Sequence, residues 1–252
     1  MSLTILVTGA SSGFGRAIAK RFVRDGHRVI ATARRQDRLQ TLAEALGPSL
    51  LPAALDMNDP QAIAALPGSL PEGWREVDVL IANAGLALGI KPAQEALLPD
   101  WEQMVATNVT GLMQTVHALL PGMVARDRGH IVTIGSVAGE YPYPGGNVYG
   151  ATKAFVRQFV MNLKADLVGR NVRVTDIEPG LCGGSEFSNV RLADDAKAAS
   201  VYEGTVPLTP EDIAESVAWV VGLPAHVNIN RIELMPTCQA PGALTIKREP
   251  AR

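Results

Sequence analysis

The chain has 252 residues, 47% hydrophobic and 19% charged, which excludes a disordered or collagen-like polymer and leaves room for one large domain or two small ones. Its 23 Lys+Arg against 25 Asp+Glu give a net charge of -2 with no long basic run, so neither nucleic acid nor an anionic membrane surface is an expected partner. No apolar run approaches the roughly 18 residues that a bilayer-spanning helix needs, and the opening MSLTILVTGASSG lacks the basic and long apolar segments of a secretory signal, so a cytoplasmic protein is expected.

In chain order, the first short apolar run, Leu3 to Val7, reads as a strand. It feeds Thr8-Gly9-Ala10-Ser11-Ser12-Gly13-Phe14-Gly15, after which Phe14, Ile18 and Phe22 fall on one face of a helix. A glycine-rich turn between a first strand and a first helix lets backbone approach a pyrophosphate, and the open amides at the helix start attract its charge. A dinucleotide site is therefore expected at Gly9, Ala10, Ser11, Ser12, Gly13, Phe14 and Gly15. The second strand, from His27 to Ala31 and ending near Thr32-Ala33, is followed by Arg34 and Arg35, with no acid before Asp37. An acid here would accept ribose hydroxyls, whereas guanidinium forks pair with a phosphate dianion, so NADP is expected rather than NAD. The alternative is that both arginines merely open a solvated helix.

Further strands are expected at Leu50 to Leu55, Val77 to Ala82, His130 to Ile134, Val172 to Ile177 and Ile232 to Leu234, with a helix carrying Phe155, Phe159 and Leu163 on one face. Thr209-Pro210-Glu211-Asp212 reads as the capped start of the last long helix. Seven apolar strands alternating with helices predict a single-domain, Rossmann-type doubly wound parallel sheet over residues 1–252, with helices on both faces. Gly145-Gly146 and Gly183-Gly184 follow the fifth and sixth strands, where such a sheet opens its ligand crevice, so substrate loops are expected at about 136–149 and 179–208. Cys182 and Cys238 show no CxxC spacing and read as small apolar fillers; the four histidines are not clustered, and no metal site is expected.

Ser136, Tyr149 and Lys153 form the catalytic signal. Tyr149 and Lys153 lie four apart and share a helix face. A phenol with a pKa of about 10 is a poor base, but a neighbouring ammonium and an oxidised nicotinamide ring favour the phenolate. Ser136 is placed to hold the substrate oxygen while Tyr149 exchanges its proton. A non-catalytic nucleotide sensor on the same fold would not need this trio.

With these motifs in hand, the chain resembles the short-chain dehydrogenases/reductases. Gly9-x-x-x-Gly13-x-Gly15, Asn83-Ala84-Gly85, Asn108, Ser136, Tyr149-x-x-x-Lys153 and Pro179-Gly180 occur in that family's order and spacing. The resemblance implies that Asn108, through a backbone kink, fixes a water joining Lys153 to solvent, and that Lys153 also binds the nicotinamide ribose. It implies Asp56 and Met57 beside the adenine, Asn83, Ala84 and Gly85 along the cofactor, and contacts to the nicotinamide end from the segment Pro179, Gly180, Leu181, Cys182, Gly183 and Ser185. Gly145 to Phe159, Asp176 to Leu181, Glu186 to Arg191 and Pro224 to Asn230 look closer still to one branch, the NADP-dependent 3-hydroxy acid dehydrogenases. That branch implies oxidation of the 3-hydroxyl of L-serine, L-allo-threonine, 3-hydroxypropionate or 3-hydroxyisobutyrate, or the reverse. The alternative is reduction of another small carbonyl such as malonic semialdehyde, a sulfonated aldehyde or a ketone.

Departures from the wider family are Ala82 and Glu178, each where Asn is usual, and Ser185 where Thr is frequent. A small acid needs a cation near the reacting carbon, because its carboxylate is costly to bury unpaired. Arg191, in the loop after the sixth strand, is the candidate, against the alternative that it pairs with Asp194 or Asp195; Gly145, Gly146 and Glu178 are candidates to shape the same pocket. The family resemblance implies a homotetramer built through the helices bearing Asn108 and Tyr149 and through the last strand and tail. The apolar tail Leu234 to Ile246 would suit that contact or fold over its own subunit.

Overall fold

The computed structural model describes residues 2–242, and within them all seven expected strands lie in one parallel sheet. The strands are β1 (Thr4–Thr8), β2 (Arg28–Ala33), β3 (Leu50–Ala54), β4 (Val79–Ala82), β5 (Gly129–Ile134), β6 (Val172–Pro179) and β7 (Arg231–Leu234), in the spatial order β3-β2-β1-β4-β5-β6-β7. Pro52, which cannot donate to a sheet ladder, sits in edge strand β3.

Parallel strands need coverage on both faces, and side chains alternate between the two. On one face Ile5, Val7, Val29 and Ala31 pack against α1 (Gly13–Arg24), α2 (Gln36–Leu46) and α9 (Pro210–Gly222), which contribute Ile18, Phe22, Leu39 and Val217. On the other, Leu6, Ile30, Leu80 and Ile131 meet α3 (Pro60–Ser69), α5 (Leu112–Ala125) and α6 (Asn147–Asp166) through Ile63, Val116, Met123 and Val160. Each such Val, Leu, Ile, Phe or Met side chain, fully buried, contributes about 1.5–3 kcal/mol. α9 starts as its sequence suggests: the Thr209 hydroxyl accepts from the Asp212 N–H, and the Asp212 carboxylate accepts from the Thr209 N–H, so two otherwise orphaned donors are satisfied.

Some expectations change. On α6 the buried stripe is Lys153, Val156, Val160 and Leu163, while Phe155 and Phe159 stack on one another half-buried, ring centroids 5.5 Å apart. Leu163 of the expected face belongs to that stripe and Phe159 packs against the core from its edge, so the buried face is centred about one position away from the aromatic pair. Cys182 is half-buried against the core, whereas Cys238 is exposed in the chain after β7, so it fills no core space. That chain folds back on its own subunit, with the Leu181 N–H donating to Gln239 Oε1 at 2.7 Å. The rest of the expected tail, 243–246, lies outside the described residues. No described helix is long and apolar enough to cross a membrane.

The strand order reverses between β1 and β4, and the crevice beyond their C-terminal ends is where such sheets bind ligands. Three further elements complete its walls: α4 (Leu98–Val105) with the π-helical turn Ala106–Gly111 that joins it to α5, and two short helices after β6, α7 (Phe187–Leu192) and α8 (Asp195–Ser200).

Candidate active site

The glycine turn at the end of β1 is built for a close backbone approach. Gly9 and Gly13 have φ of +69° and +50°, and a Cβ on Gly15 would lie 2.5 Å from the Gly9 carbonyl oxygen. Ser12 caps α1 without a side-chain hydrogen bond, so the first-turn amides are not consumed by their own cap. Thr8 Oγ1 accepts from the N–H groups of Asn83 and Ala84 at 3.0 and 2.9 Å, and Asn83 Nδ2 donates to the Thr8 carbonyl at 2.8 Å. The two turns flanking the strand-order reversal are thus tied together. A cradle of amides at a helix start fits a pyrophosphate.

Along one side, Arg34 is exposed and Arg35 is half-buried. Arg35 donates to Ser11 Oγ at 3.0 Å and Ser12 Oγ at 2.8 Å, so it belongs to the glycine turn rather than to a solvated helix start. Its Nη1 also meets Glu186 at 2.7 Å, and Arg38 meets the other Glu186 oxygen at 2.6 Å. Asp56 stays half-exposed, but Met57 turns its side chain into the core, 8% exposed, which leaves only its backbone for a ligand. In the segment after β6, the N–H groups of Gly180, Leu181 and Gly183 already donate to Leu234, Gln239 and Leu208; that of Cys182 makes none of these bonds. Ser185 lies over the glycine turn, its Cβ 3.1 Å from where a Gly13 Cβ would be.

Ser136, Tyr149 and Lys153 come together as expected. Ser136 caps a 3-10 turn by accepting from the Ala138 N–H at 3.1 Å, its hydroxyl donates to the Pro179 carbonyl at 3.4 Å, and it lies close enough to the Tyr149 phenol to favour its ionised form. Lys153 Nζ donates to the Ile134 carbonyl at 2.7 Å and lies 5.9 Å from the Tyr149 ring centre. Burial pushes the Tyr149 phenol up to about 12; the nearby Ser136 hydroxyl and the Arg191 charge pull it down by less. Burial lowers Lys153 to about 8, opposed by Asp176. The lysine therefore remains largely an ammonium at pH 7, yet the protein's own groups leave Tyr149 protonated. Sequence reasoning gave weight to the ammonium and none to the loss of water around the phenol.

Asn108 is 1% exposed, with both side-chain groups committed: Oδ1 accepts from the Leu86 N–H at 2.9 Å, and Nδ2 donates to the Leu86 carbonyl at 2.8 Å and to Thr152 Oγ1 at 3.1 Å. It sits inside the π-helical turn, a widening of the regular helical ladder of the kind that recurs at functional sites. A Cβ on Gly85 would meet Asn108 Oδ1 at 3.3 Å and Lys153 Nζ at 3.6 Å, so the turn after β4 lies directly over both.

Arg191 enters from α7. Its Nη2 donates to the Tyr143 hydroxyl at 2.9 Å and its Nε to the Gly89 carbonyl at 3.2 Å, and its guanidinium carbon lies 5.6 Å from the Tyr149 ring centre. Neither acid considered for it is its partner: Asp194 caps α8 and pairs with Lys197, and Asp195 accepts from Asn189. Phe187 packs on Tyr149, ring centres 5.8 Å apart. Gly145, with φ of +77°, lets its loop approach Ile90. Glu178 does not line this pocket. It is 1% exposed, faces Arg231 at 3.6 Å, and burial together with the neighbouring Asp176 carboxyl raises it to about 7.

Sequence reasoning assigned no role to Arg38, Tyr143, Thr152, Asp176, Phe187 or Glu186. A charged residue in the segment after β6 signals only that a partner is needed, without saying which. Among the described residues no cluster of potential metal ligands occurs.

The chain matches the family model described as short chain dehydrogenase over residues 3–195. It is 59% identical over 247 residues to the NADP-dependent 3-hydroxy acid dehydrogenase YdfG of Salmonella typhi, covering 98% of this chain and 100% of that protein. It is 49% identical over 250 residues to the serine 3-dehydrogenase of Agrobacterium fabrum, covering 99% and 100%. Among solved structures, it resembles the closed form of serine dehydrogenase complexed with NADP+ with a TM-score of 0.96 and 57% identity, over 97% of this chain and 99% of that one.

Proposed function

This chain belongs to the short-chain dehydrogenase family, and we propose that it is an NADP-dependent oxidoreductase converting the 3-hydroxyl of short 3-hydroxy acids to the 3-oxo acids, or the reverse. The substrates in view are L-serine, L-allo-threonine, 3-hydroxypropionate and 3-hydroxyisobutyrate. The observation that carries the acid specificity is Arg191, a cation against the Tyr149 ring with no carboxylate partner among the described residues. A carboxylate brought there completes a fork-to-fork pair and is not left buried and unpaired.

Gly9 to Gly15 would hold the pyrophosphate, Arg34 and Arg35 the 2′-phosphate, Asp56 and the Met57 backbone the adenine side, Asn83 to Gly85 the flank, and Lys153 the nicotinamide ribose. The Pro179–Ser185 segment would cover the nicotinamide end, with the Cys182 N–H as its open donor. Bound NADP supplies the acceptor for the hydride that leaves the substrate's C3 as its C=O bond forms. Ser136 holds the substrate oxygen in line with Tyr149. In the oxidative direction the Tyr149 oxygen takes the hydroxyl proton; in reduction the protonated phenol donates it. With the phenol pushed up to about 12, the protein alone poises Tyr149 as an acid, and the positive charge of an oxidised nicotinamide adds to Arg191 in drawing the proton off. Lys153 keeps its positive charge beneath the ring, and Asn108, in the π-turn beside it, offers main-chain groups to a water leading to solvent.

The other substrate classes separate at Arg191. A sulfonated aldehyde would use it as a carboxylate does, whereas a neutral ketone leaves it unpaired. Arg191→Ala should raise KM for 3-hydroxy acids about ten-fold, the low end for charged hydrogen bonds at a partly exposed site, while a neutral secondary alcohol changes less than two-fold. Steady-state rates with the four acids, their aldehydes and one neutral alcohol at fixed NADP(H) are the measurement. Equal effects on acids and alcohol would remove the assignment.

We further propose a cytoplasmic homotetramer. Supporting the assembly, Leu97, Leu98, Val105, Met113 and Met161 are exposed around α4, α5 and α6, and of these Leu98 and Val105 share one groove with Trp101 and Val148.

A further inference from the structure

We propose that Glu186 is a positioning residue that seats the substrate loop: its carboxylate, clamped between Arg35 and Arg38, holds α7 in place against Tyr149.

α7 has little apolar surface to seat itself. Of its six residues only Ser188 is buried, and the Ser188 hydroxyl bonds Tyr202, within the same loop, at 2.6 Å. Phe187 and Val190 remain 36% and 50% exposed. The loop is therefore held to the body of the protein mainly by polar ties at its two ends. At the far end Arg191 bonds Tyr143 and the Gly89 carbonyl, and the Gly89 N–H donates to the Arg191 carbonyl at 2.9 Å. At the near end Glu186 gives one oxygen to Arg35 at 2.7 Å and the other to Arg38 at 2.6 Å.

An isolated exposed ion pair contributes little, because two long side chains must be ordered to make it. Here one carboxylate serves two guanidiniums, and Arg35 is already oriented by Ser11 and Ser12, so less ordering remains to be done. Hydrogen bonds from Arg38 and Arg35 hold the Glu186 carboxyl down at about 2, so the clamp is charged throughout the working range. Its position gives the clamp a role. Arg35 lies on the glycine turn, and the helix that Glu186 begins brings Phe187 and Arg191 to Tyr149. The ordering of the pocket is thereby tied to the residue assigned above to the cofactor's 2′-phosphate.

Glu186→Gln keeps the side chain's shape and removes its charge. In the ligand-free protein, amide hydrogen exchange at Val190 and Ala193, whose N–H groups bond Glu186 and Asn189, should become about ten-fold faster, while α1 and α9 amides are unchanged. Arg38→Gln should speed the same amides several-fold and Arg38→Lys should stay near the parent. Salt at 0.5 M should loosen the loop of the parent protein and not that of Glu186→Gln. In turnover, KM for the 3-hydroxy acid should rise about ten-fold with kcat within two-fold, an expectation that rests on the function proposed above. Unchanged exchange in both Glu186→Gln and Arg38→Gln would overturn the clamp. Faster exchange with unchanged KM would uphold the clamp and count against the assignment of the substrate.

Discussion

Replacing Tyr149 with phenylalanine should lower turnover of a 3-hydroxy acid by roughly 100-fold or more while leaving NADPH binding intact. The ring stays, with its packing against Phe187 and beside Lys153, so the change removes the proton carrier and little else. The pH dependence should change with it. Burial holds the phenol at about 12, so the phenolate that oxidation needs grows as pH rises. In the parent protein the oxidation rate should therefore climb with pH over the alkaline range, and in Tyr149→Phe that slope should vanish. Steady-state kinetics against pH, with NADPH fluorescence titration for binding, measure both. Turnover within ten-fold of the parent would refute the proton-transfer role.

The paired change Arg34→Asp with Arg35→Ala should move the ratio of kcat/KM for NADP over NAD by about 100-fold or more towards NAD. A hydrogen bond from a guanidinium to a phosphate contributes about 1.5–3 kcal/mol, and 1.4 kcal/mol is a factor of ten. The introduced acid also repels the 2′-phosphate and accepts from ribose hydroxyls in its place. Because Arg35 also holds Glu186, the double variant should raise KM for the acid substrate as well. Arg34→Asp alone, at an exposed side chain outside the clamp, should shift the cofactor ratio without that second effect. Comparing the two variants with both cofactors at saturating acid, and then with the acid varied, separates the roles, and an unchanged ratio in the double variant would remove the phosphate assignment.

Both experiments address residues whose importance is readable from short stretches of chain. The glycine turn, the arginines after β2 and Tyr149-x-x-x-Lys153 are local patterns. A turn needing positive φ selects glycine at Gly9 and Gly13, and one helical turn places Tyr149 and Lys153 on one face. The seven strands were equally legible, since strands covered on both faces must be short and apolar throughout, although their ends shifted by a residue or two. The same local logic centred the apolar face of α6 on Phe155, Phe159 and Leu163, whereas the buried stripe runs through Val156, Val160 and Leu163, because periodicity reports that an apolar stripe exists and not which of two adjacent stripes meets the sheet.

What the sequence determined by itself was the fold class, the glycine turn after β1 and the shared helix face of Tyr149 and Lys153. Only the tertiary structure decided their partners and their charges. Glu186 reaches Arg35 across 151 positions and Arg191 reaches Gly89 across 102, pairings created by crossovers of the sheet and marked by no spacing in the chain. The protonation of Tyr149 likewise depends on how completely water is excluded around it, and that exclusion is a property of packed neighbours drawn from the chain after β4, from α4 and from α7 together.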